Sequence, residues 1–343
     1  MKTYHLIFSL LLLSFVTSCK KDETPITAAD IYAMGNTNTM SPQQIYYYKN
    51  GVKTLVTDGT ESSSGRDIFI ENDDVYIAGS VYVYPDTGSS YYQTCYWKNG
   101  IKTDLIYPTY YYEYAEATSI QVVNGDVYVL GAVAENFSTN RQLVFWKNGA
   151  INYLSYSDVS SFSRSFSIYN NDFYACGAVT LAGVNTACYW KNGVRTMLSS
   201  SLSAAESIIV NDDGIHITYA EYGGGAIATS LKYWKDGTET ILYTGSGVLG
   251  KMTIKNNQVY IAGASFEGTL WKACYWKNGV KKDLADGNTL ICRAVAEANN
   301  GQVIAFASSS SELFPTLWID DESSAIGGGA SEHTSAFTIY NPK

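Results

Sequence analysis

The stretch Trp97-Lys98-Asn99-Gly100 is one of seven related segments that recur along this 343-residue chain. The other six are Tyr48-Lys49-Asn50-Gly51, Trp146-Lys147-Asn148-Gly149, Trp190-Lys191-Asn192-Gly193, Trp234-Lys235-Asp236-Gly237, Trp276-Lys277-Asn278-Gly279 and Trp318-Ile319-Asp320-Asp321. Their aromatic positions lie 49, 49, 44, 44, 42 and 42 residues apart. A period in the forties is typical of an array of small β units.

Each segment is predicted to form a β-hairpin, because Asn-Gly between β-rich runs is the strongest short hairpin signal. A second β-rich run lies upstream and ends in glycine, as in Asp74-Val75-Tyr76-Ile77-Ala78-Gly79. The closing glycine suits a crowded or bent point in a sheet. A further run, such as residues 119–125, precedes it and ends in a tight-turn pair. One unit is therefore predicted to be four antiparallel strands, with tight turns after the first and third.

Seven such units predict an all-β fold, a seven-bladed β-propeller of four-stranded antiparallel blades. The first unit begins directly at its second strand, with Asp30. The C-terminal residues 336–341 align with the first strand of a later unit, residues 165–170. We therefore expect the C-terminal strand to join the first blade and close the ring, which removes exposed sheet edges.

The N-terminus resembles that of bacterial lipoproteins. Residues 1–19 have a basic start, an apolar run from Leu6 to Val16 that is too short for a membrane span, and a lipobox-like end at Cys19. We expect lipidation of Cys19, and hence the membrane as a partner. A signal peptide cut elsewhere is the alternative. Residues 20–29 are then a polar tether and residues 30–343 a single propeller domain.

The repeats resemble kelch and related propellers, although the kelch double glycine is here Gly79-Ser80, Gly131-Ala132 and Gly263-Ala264. They are still more similar to Bacteroidetes surface propellers with Tyr-Trp-Lys-Asn-Gly repeats. Lys20-Lys21-Asp22-Glu23 resembles the surface-export tag of Bacteroidetes lipoproteins, although it also fits a plain solvated tether. The resemblance implies a propeller that is lipid-anchored in the cell envelope, at the outer membrane and exposed at the surface. It implies no activity.

The repeated residues are interpreted as scaffold. We expect the repeat tryptophans to pack between blades, because large aromatic side chains dominate core burial. The hairpin lysines alternate with aspartates on the same face, which is typical of a solvated surface. Among the five cysteines after Cys19, Cys176 and Cys188 could form a bridge across a hairpin, but two small buried hydrophobes are favoured.

The opposite face carries the candidate binding site. Connections there are predicted to be long loops rich in Tyr, Ser and Gly, a composition typical of paratopes. The candidate ligand-binding residues are Tyr84, Tyr91, Tyr92, Tyr110, Tyr111, Tyr112 and Trp271, the last being the one tryptophan outside the repeat position. The alternative is that some of these tyrosines cap the channel or pack on one another.

A catalytic function finds little support in the sequence, which has no nucleophile elbow, zinc-protease motif or phosphate loop. His216 occupies a repeat position held by Tyr128 elsewhere, so a buried structural histidine is expected. A net charge of −9 argues against nucleic acid as a partner. We expect a monomer without cofactor or metal that binds a glycan or a protein. The alternatives are a polysaccharide hydrolase or lyase with funnel carboxylates and a scaffold in outer-membrane assembly. The candidate carboxylates are Glu113, Glu116 and Asp320-Asp321, although Asp320-Asp321 more simply replaces an Asn-Gly turn.

Overall fold

A computed structural model describes residues 29–37, 42–84, 90–106, 112–135, 140–155, 159–288, 290–308, 316–320, 322–325 and 332–340. These residues form 27 strands and no helix. Accordingly, none of the described segments is a helix with the length and apolar character needed to cross a membrane. The predicted signal peptide, Cys19 and nearly all of the tether lie outside the described residues.

The strands form six antiparallel sheets, five of which have four strands. Sheet 1 contains β27 (Glu332–Tyr340), β1 (Asp30–Thr37), β2 (Ile45–Lys49) and β3 (Val52–Leu55) in that order. Sheet 2 contains β4 (Ser62–Glu71), β5 (Asp74–Val83), β6 (Tyr91–Lys98) and β7 (Ile101–Asp104). Sheet 3 contains β8 (Tyr112–Val123), β9 (Asp126–Glu135), β10 (Gln142–Lys147) and β11 (Ala150–Tyr153).

The remaining sheets include one that is larger. Sheet 4 contains β12 (Ser161–Tyr169), β13 (Asp172–Leu181), β14 (Val184–Lys191) and β15 (Val194–Met197). Sheet 5 has seven strands, namely β16 (Ser203–Asn211), β17 (Gly214–Tyr222), β18 (Ala228–Lys235), β19 (Thr238–Lys255), β20 (Gln258–Glu267), β21 (Leu270–Lys277) and β22 (Val280–Asn288). Sheet 6 contains β23 (Ile291–Glu297), β24 (Val303–Ser308), β25 (Thr316–Ile319) and β26 (Glu322–Ala325).

The two ends of the chain meet in sheet 1, as the sequence predicts. Strand β27 pairs antiparallel with β1, so that Asp30 lies opposite Tyr340 and Thr37 opposite Glu332. The strands that begin each unit contact one another in the cyclic order β27, β4, β8, β12, β16, the second half of β19 and β23, and β23 in turn contacts β27. The fold is therefore a propeller-like ring of four-stranded antiparallel blades around a central channel, with these inner strands on the channel side.

The repeat tetrapeptide is a hydrogen-bonded hairpin. Asn99 and Gly100 both have positive φ, 50° and 83°, which is the type I′ turn that Asn-Gly favours. The side chain of Asn99 accepts a hydrogen bond from the Val75 N–H at 2.9 Å and donates one to Asp74 at 2.7 Å. Asn50, Asn148 and Asn192 make the same pair of bonds. The turn thus ties the third strand of a unit to the start of the second.

The hairpin lysines are paired with the aspartates of the same face. Lys98 lies 2.8 Å from Asp74, and its ammonium group is 5.2 Å from the ring centre of Tyr76. Equivalent ion pairs are Lys49–Asp30, Lys147–Asp126, Lys191–Asp172 and Lys235–Asp213. In these five units the charges of this face are paired within the unit, in agreement with the interpretation as scaffold.

The repeat tryptophans pack in the cores between sheets, with one exception. Trp97, Trp146, Trp190, Trp276 and Trp318 are at most 2% exposed. The indole N–H of Trp146 donates to the Ile106 carbonyl at 3.2 Å, which joins sheet 3 to the segment leaving sheet 2. Trp234 differs, because it is only partly buried and lies 5.8 Å from the ring of Tyr189.

The five cysteines in the described part of the chain are buried and unbridged. Cys95, Cys176, Cys188, Cys274 and Cys292 are all free thiols. Cys176 lies opposite Tyr189 and Cys188 opposite Gly177, so the two side chains point to opposite faces of sheet 4. They belong to different buried clusters, one on each side of the sheet. The favoured interpretation as buried hydrophobes is confirmed.

Candidate functional site

The candidate tyrosines of sheet 2 lie on a long hairpin. The ladder between β5 and β6 extends to the pair Val83 and Tyr91. Tyr91 and Tyr92 are therefore strand residues, and their placement in a loop is wrong, because alternating β-rich residues extend the pairing toward the hairpin tip. Tyr84 directly follows β5. All three remain solvent-exposed, at 45% for Tyr91, 58% for Tyr92 and 77% for Tyr84.

The other candidates are placed less favourably or lie outside the described residues. Tyr110 and Tyr111 are not among those residues, and Tyr112 begins β8 but its side chain is not described. Trp271 lies in strand β21, opposite Phe266, and its assignment to a long loop is wrong because Gly268 and Thr269 form a tight turn there. Its ring packs 5.4 Å from Phe266 in sheet 5, away from the tyrosines of sheet 2.

The exposed tyrosines of sheet 2 hold one another in place. The ring centre of Tyr82 lies 4.7 Å from that of Tyr84 and 4.8 Å from that of Tyr92. The Tyr82 hydroxyl donates a hydrogen bond to Ser90 Oγ at 2.8 Å. Edge-to-face and tilted aromatic pairs at these distances are stabilising by about 0.5–1.5 kcal/mol beyond their area burial. The cluster therefore presents aromatic faces to solvent at a low entropy cost.

A cleft of about 380 Å³ lies beside this cluster. Two of the predicted residues, Tyr91 and Tyr92, line it together with Tyr114 and Glu116 of β8 and Arg66 of β4. Gln43, Ser62, Ser63, Ser64 and Ser80 add polar groups to its walls. A concave site with aromatic faces and a few convergent polar groups is the usual form of a small-ligand site.

One wall of the cleft is fixed by Arg141. Its guanidinium lies 4.2 Å from the ring centre of Tyr114, and its Nη1 is 3.9 Å from Glu116 Oε1. Burial and the neighbouring Glu116 carboxylate raise the pKa of Tyr114, so its hydroxyl stays protonated and can donate. A cation over an aromatic face is stabilising by roughly 0.5–1 kcal/mol at exposed sites.

Inner strands of the ring each carry a β-bulge at nearly the same position. Register shifts between the first and second strand of each unit leave one extra residue there, which is Arg66 in β4, Thr118 in β8, Arg164 in β12, Glu206 in β16 and Arg293 in β23. In β19 Gly250 and Lys251 together lie opposite Ala262, which is again one extra residue, and β27 shifts register opposite Met34 and Gly35. Bulges re-aim side chains and are common beside functional sites.

The closing glycines of the repeat make room for these bulges. A Cβ on Gly79 would lie 2.1 Å from the Ser64 carbonyl oxygen, and one on Gly177 would lie 1.9 Å from the Phe162 carbonyl oxygen. Gly131 is equally crowded. The expectation of a crowded point in the sheet is confirmed, and its cause is the carbonyl of the inner-strand residue two positions before the bulged residue.

Two ion pairs join the inner strands. Arg164 Nη1 lies 3.2 Å from Glu206 Oε2, which connects neighbouring bulges. Lys251 Nζ lies 2.6 Å from Asp67 Oδ1, although β4 is a neighbour of β8 and β27 in the ring. Asp67 also accepts hydrogen bonds from the Ser119 hydroxyl at 2.7 Å and the Ile120 N–H at 3.2 Å. The channel is therefore narrow enough for one lysine side chain to span it at this level.

His216 and Asp320 have structural roles. His216 is 1% exposed, its Nδ1 lies 2.5 Å from the Tyr233 hydroxyl, and burial lowers its pKa. Asp320 occupies the turn position of the repeat asparagine, with φ of 49°, and accepts the Val303 N–H at 2.9 Å. Within the described ranges no group of three or more His, Cys, Asp or Glu side chains could hold a metal ion. The side chain of Glu113 lies outside them.

The fold and the cleft together define a β-propeller with a ligand-sized site on one face. No family model and no curated protein matches the chain. Acylaminoacyl peptidase from Pyrococcus horikoshii is similar over 87% of this chain and 50% of that chain, with 12% identity and a TM-score of 0.50. TolB from Acinetobacter baumannii is similar over 74% and 63%, with 11% identity and a TM-score of 0.48.

A mutant Trypanosoma rangeli sialidase that displays trans-sialidase activity is similar over 92% of this chain and 87% of that chain, with 7% identity and a TM-score of 0.44. The chain spans about half of the peptidase chain and less than two thirds of the TolB chain. At such identities the likeness shows the β-propeller fold alone.

Proposed function

We propose that the protein is a non-catalytic binding module that takes a glycan into the cleft between sheets 2 and 3. The observation that carries this proposal is the exposure of Tyr91 and Tyr92 at the edge of a cleft whose other walls are polar. Sugar rings stack their apolar faces on aromatic rings, while their hydroxyls bond to side chains such as Gln43, Ser64 and Glu116. A glycan uses both kinds of group, and a protein ligand is the alternative.

A binding function also fits the acids of the cleft. Glu116 is the one carboxylate among the described residues that line it, and Arg141 lies beside it. Glycoside hydrolysis commonly requires two carboxylates on opposite sides of the scissile bond. The polysaccharide hydrolase or lyase is therefore ranked second, and turnover of a polysaccharide by the wild-type protein would move it to first place.

The ring is inferred to have seven blades, with sheet 5 supplying two of them through one shared strand. The first half of β19 pairs with β18 and the second half with β20, and Gly247 takes part in both ladders. Gly245 has φ of 135°, a conformation that permits a bend between the halves. A buried cluster joins Leu231 and Leu242 on one side to Ile261 and Trp276 on the other, as expected for two blades packed face to face.

The proposed setting is the cell envelope, with lipidated Cys19 anchoring the protein in the outer membrane at the cell surface. The support is the sequence of residues 1–23. A scaffold role in outer-membrane assembly is the remaining alternative, and co-purification of membrane proteins with the chain would favour it. Replacement of Cys19 by Ala should release the protein from the membrane fraction, as fractionation and immunoblotting would detect.

A glycan array with three proteins tests the binding proposal. These are the wild-type protein, a Y91A/Y92A double variant and a Y153A control that removes an exposed tyrosine of β11 in the outer part of sheet 3. We expect the double variant to lose the signals that the wild-type protein gives and Y153A to keep them. Signals that survive in Y91A/Y92A would refute the cleft as the site. Absence of any wild-type signal, with capture of a defined protein instead, would favour the protein ligand.

A further inference from the structure

The bulges of the inner strands give the channel a charge opposite to that of the whole chain. Arg66, Arg164 and Arg293 are bulged residues, and Lys251 is one of the two residues of β19 that lie opposite Ala262 in its bulge. Asp67 and Glu206 are the carboxylates among the described residues at this level of the inner strands. Four cations thus face two carboxylates, within a chain whose net charge is −9. Such local concentration of one sign steers oppositely charged ligands.

Their exposure places these cations in the channel. Neighbouring blades cover both faces of an inner strand, so a solvent-exposed side chain in its middle lies toward the channel. Arg66, Lys251 and Arg293 are exposed, and so is Arg164 at 65%. Each of these four cations lies at or before the middle of its inner strand, counted from the Tyr-rich face, as Arg66 does within Ser62–Glu71. The cations therefore ring the channel mouth on the same face as the cleft.

Two of the four cations have no acidic partner among the described residues. Arg164 is paired with Glu206 and Lys251 with Asp67. Arg66 and Arg293 make no such ion pair within the described ranges, and partial desolvation by the surrounding inner strands lowers the pKa of Arg293, although its side chain still contacts solvent. Holding an unpaired guanidinium in a partly desolvated channel costs free energy, which a bound anion would offset. Guanidinium groups bind carboxylates and sulfates with paired, parallel hydrogen bonds.

We propose that the channel mouth binds an anionic group of the ligand through Arg293 and Arg66, so that the glycan is an acidic saccharide carrying carboxylate or sulfate groups. This inference rests on the proposed function, because Arg66 lines both the cleft and the mouth. The sugar ring would stack on Tyr91 or Tyr92, whose side chains lie on opposite faces of β6, and its anionic group would extend toward the channel. Tyrosines would then provide affinity for saccharides in general, and arginines the preference for acidic ones.

The first experiment compares acidic and neutral glycans of matched backbone on the array. The variants are R293M and R66M, with R195M as a control that removes an exposed arginine from the outer strand β15. We expect stronger wild-type signals from acidic glycans than from neutral ones, an at least tenfold loss of the acidic signals in R293M and R66M, and no change in R195M. Charged hydrogen bonds of about 1.5–3 kcal/mol correspond to losses of that size. Neutral glycans as the main ligands, or acidic signals unchanged in R293M and R66M, would overturn the proposal.

The second experiment does not depend on the glycan. Crystals of the wild-type protein soaked in selenate should show an anomalous peak within hydrogen-bonding distance of Arg293, and crystals of R293M should lack it. No peak at the mouth would overturn the anion site even if the array detects a ligand. A selenate peak at the channel mouth, with no glycan bound on the array, would instead support the anion site and refute the proposal that the cleft binds a glycan. The thermal midpoint of each variant confirms that it is folded.

Discussion

Gly177→Ala tests the link between the repeat glycine and the inner-strand bulge. The new Cβ would lie 1.9 Å from the Phe162 carbonyl oxygen and 2.8 Å from Ser163 Cα, whereas ordinary contacts begin near 3.4 Å. Both neighbours are backbone atoms, so the strand beside Arg164 must move by about 1 Å or more. We expect a loss of about 3–4 kcal/mol in the free energy of unfolding, at the upper end of overpacking and backbone strain.

Two control variants separate this clash from other effects of losing a glycine. Gly225→Ala meets no atom within 4 Å and should change stability by less than about 0.5 kcal/mol. Gly183→Ala also meets no atom, but its φ of 80° should cost about 1–2 kcal/mol. Urea unfolding followed by tryptophan fluorescence gives all three values. A Gly177→Ala variant no less stable than Gly183→Ala would refute the steric account of the bulge.

Three further outcomes are expected. Burial raises the pKa of Glu206 above its ordinary value, so the folded protein loses stability as pH rises through the raised pKa. In thermal scans E206Q should therefore melt at a higher temperature than the wild type at pH 8, and the difference should vanish below about pH 4. In urea unfolding, Asn99→Ala should lower the free energy of unfolding by about 2 kcal/mol, because two hydrogen bonds are lost and alanine must adopt a positive φ. Asn152→Ala removes one local hydrogen bond and should lower it by less than about 1 kcal/mol. Burial raises the pKa of the Cys188 thiol to about 12, so iodoacetamide should not label it at pH 8 until urea is added. Mass spectrometry measures the labelling, and a labelled Cys188 in the native protein would contradict its burial.

The fold could be predicted from the sequence because its determinants are local and repeated. The Asn99-Gly100 turn, the crowded Gly177 and the closing strand at 332–340 each depend on residue types that few alternatives can replace. Differences in packing between the repeat units could not be predicted as well from the sequence. Trp234 occupies the repeat position yet is only partly buried. The fifth repeat unit, to which it belongs, also has Tyr219 in place of the crowded glycine.

The site was only partly predictable, for a physical reason. Tyr91 and Tyr92 were selected by composition, and they do line the cleft. The bulged residues were missed because the ring requires an extra residue there but not a particular side chain, so Arg66, Thr118 and Glu206 share a position without sharing chemistry. The sequence does contain a positional signal for them, since each of these three residues lies eight residues before the start of the following strand. Trp271 was selected for breaking the period, although a tight hairpin with Phe266 accounts for it.

The most direct test of the account is the dissociation constant of the strongest array ligand, measured by isothermal titration calorimetry for the wild-type protein and the Y91A/Y92A variant at one salt concentration. The account predicts at least tenfold weaker binding by the variant, about 1.4 kcal/mol or more, with an unchanged thermal midpoint. Equal dissociation constants for the two proteins would contradict the claim that the Tyr-rich cleft is the functional site.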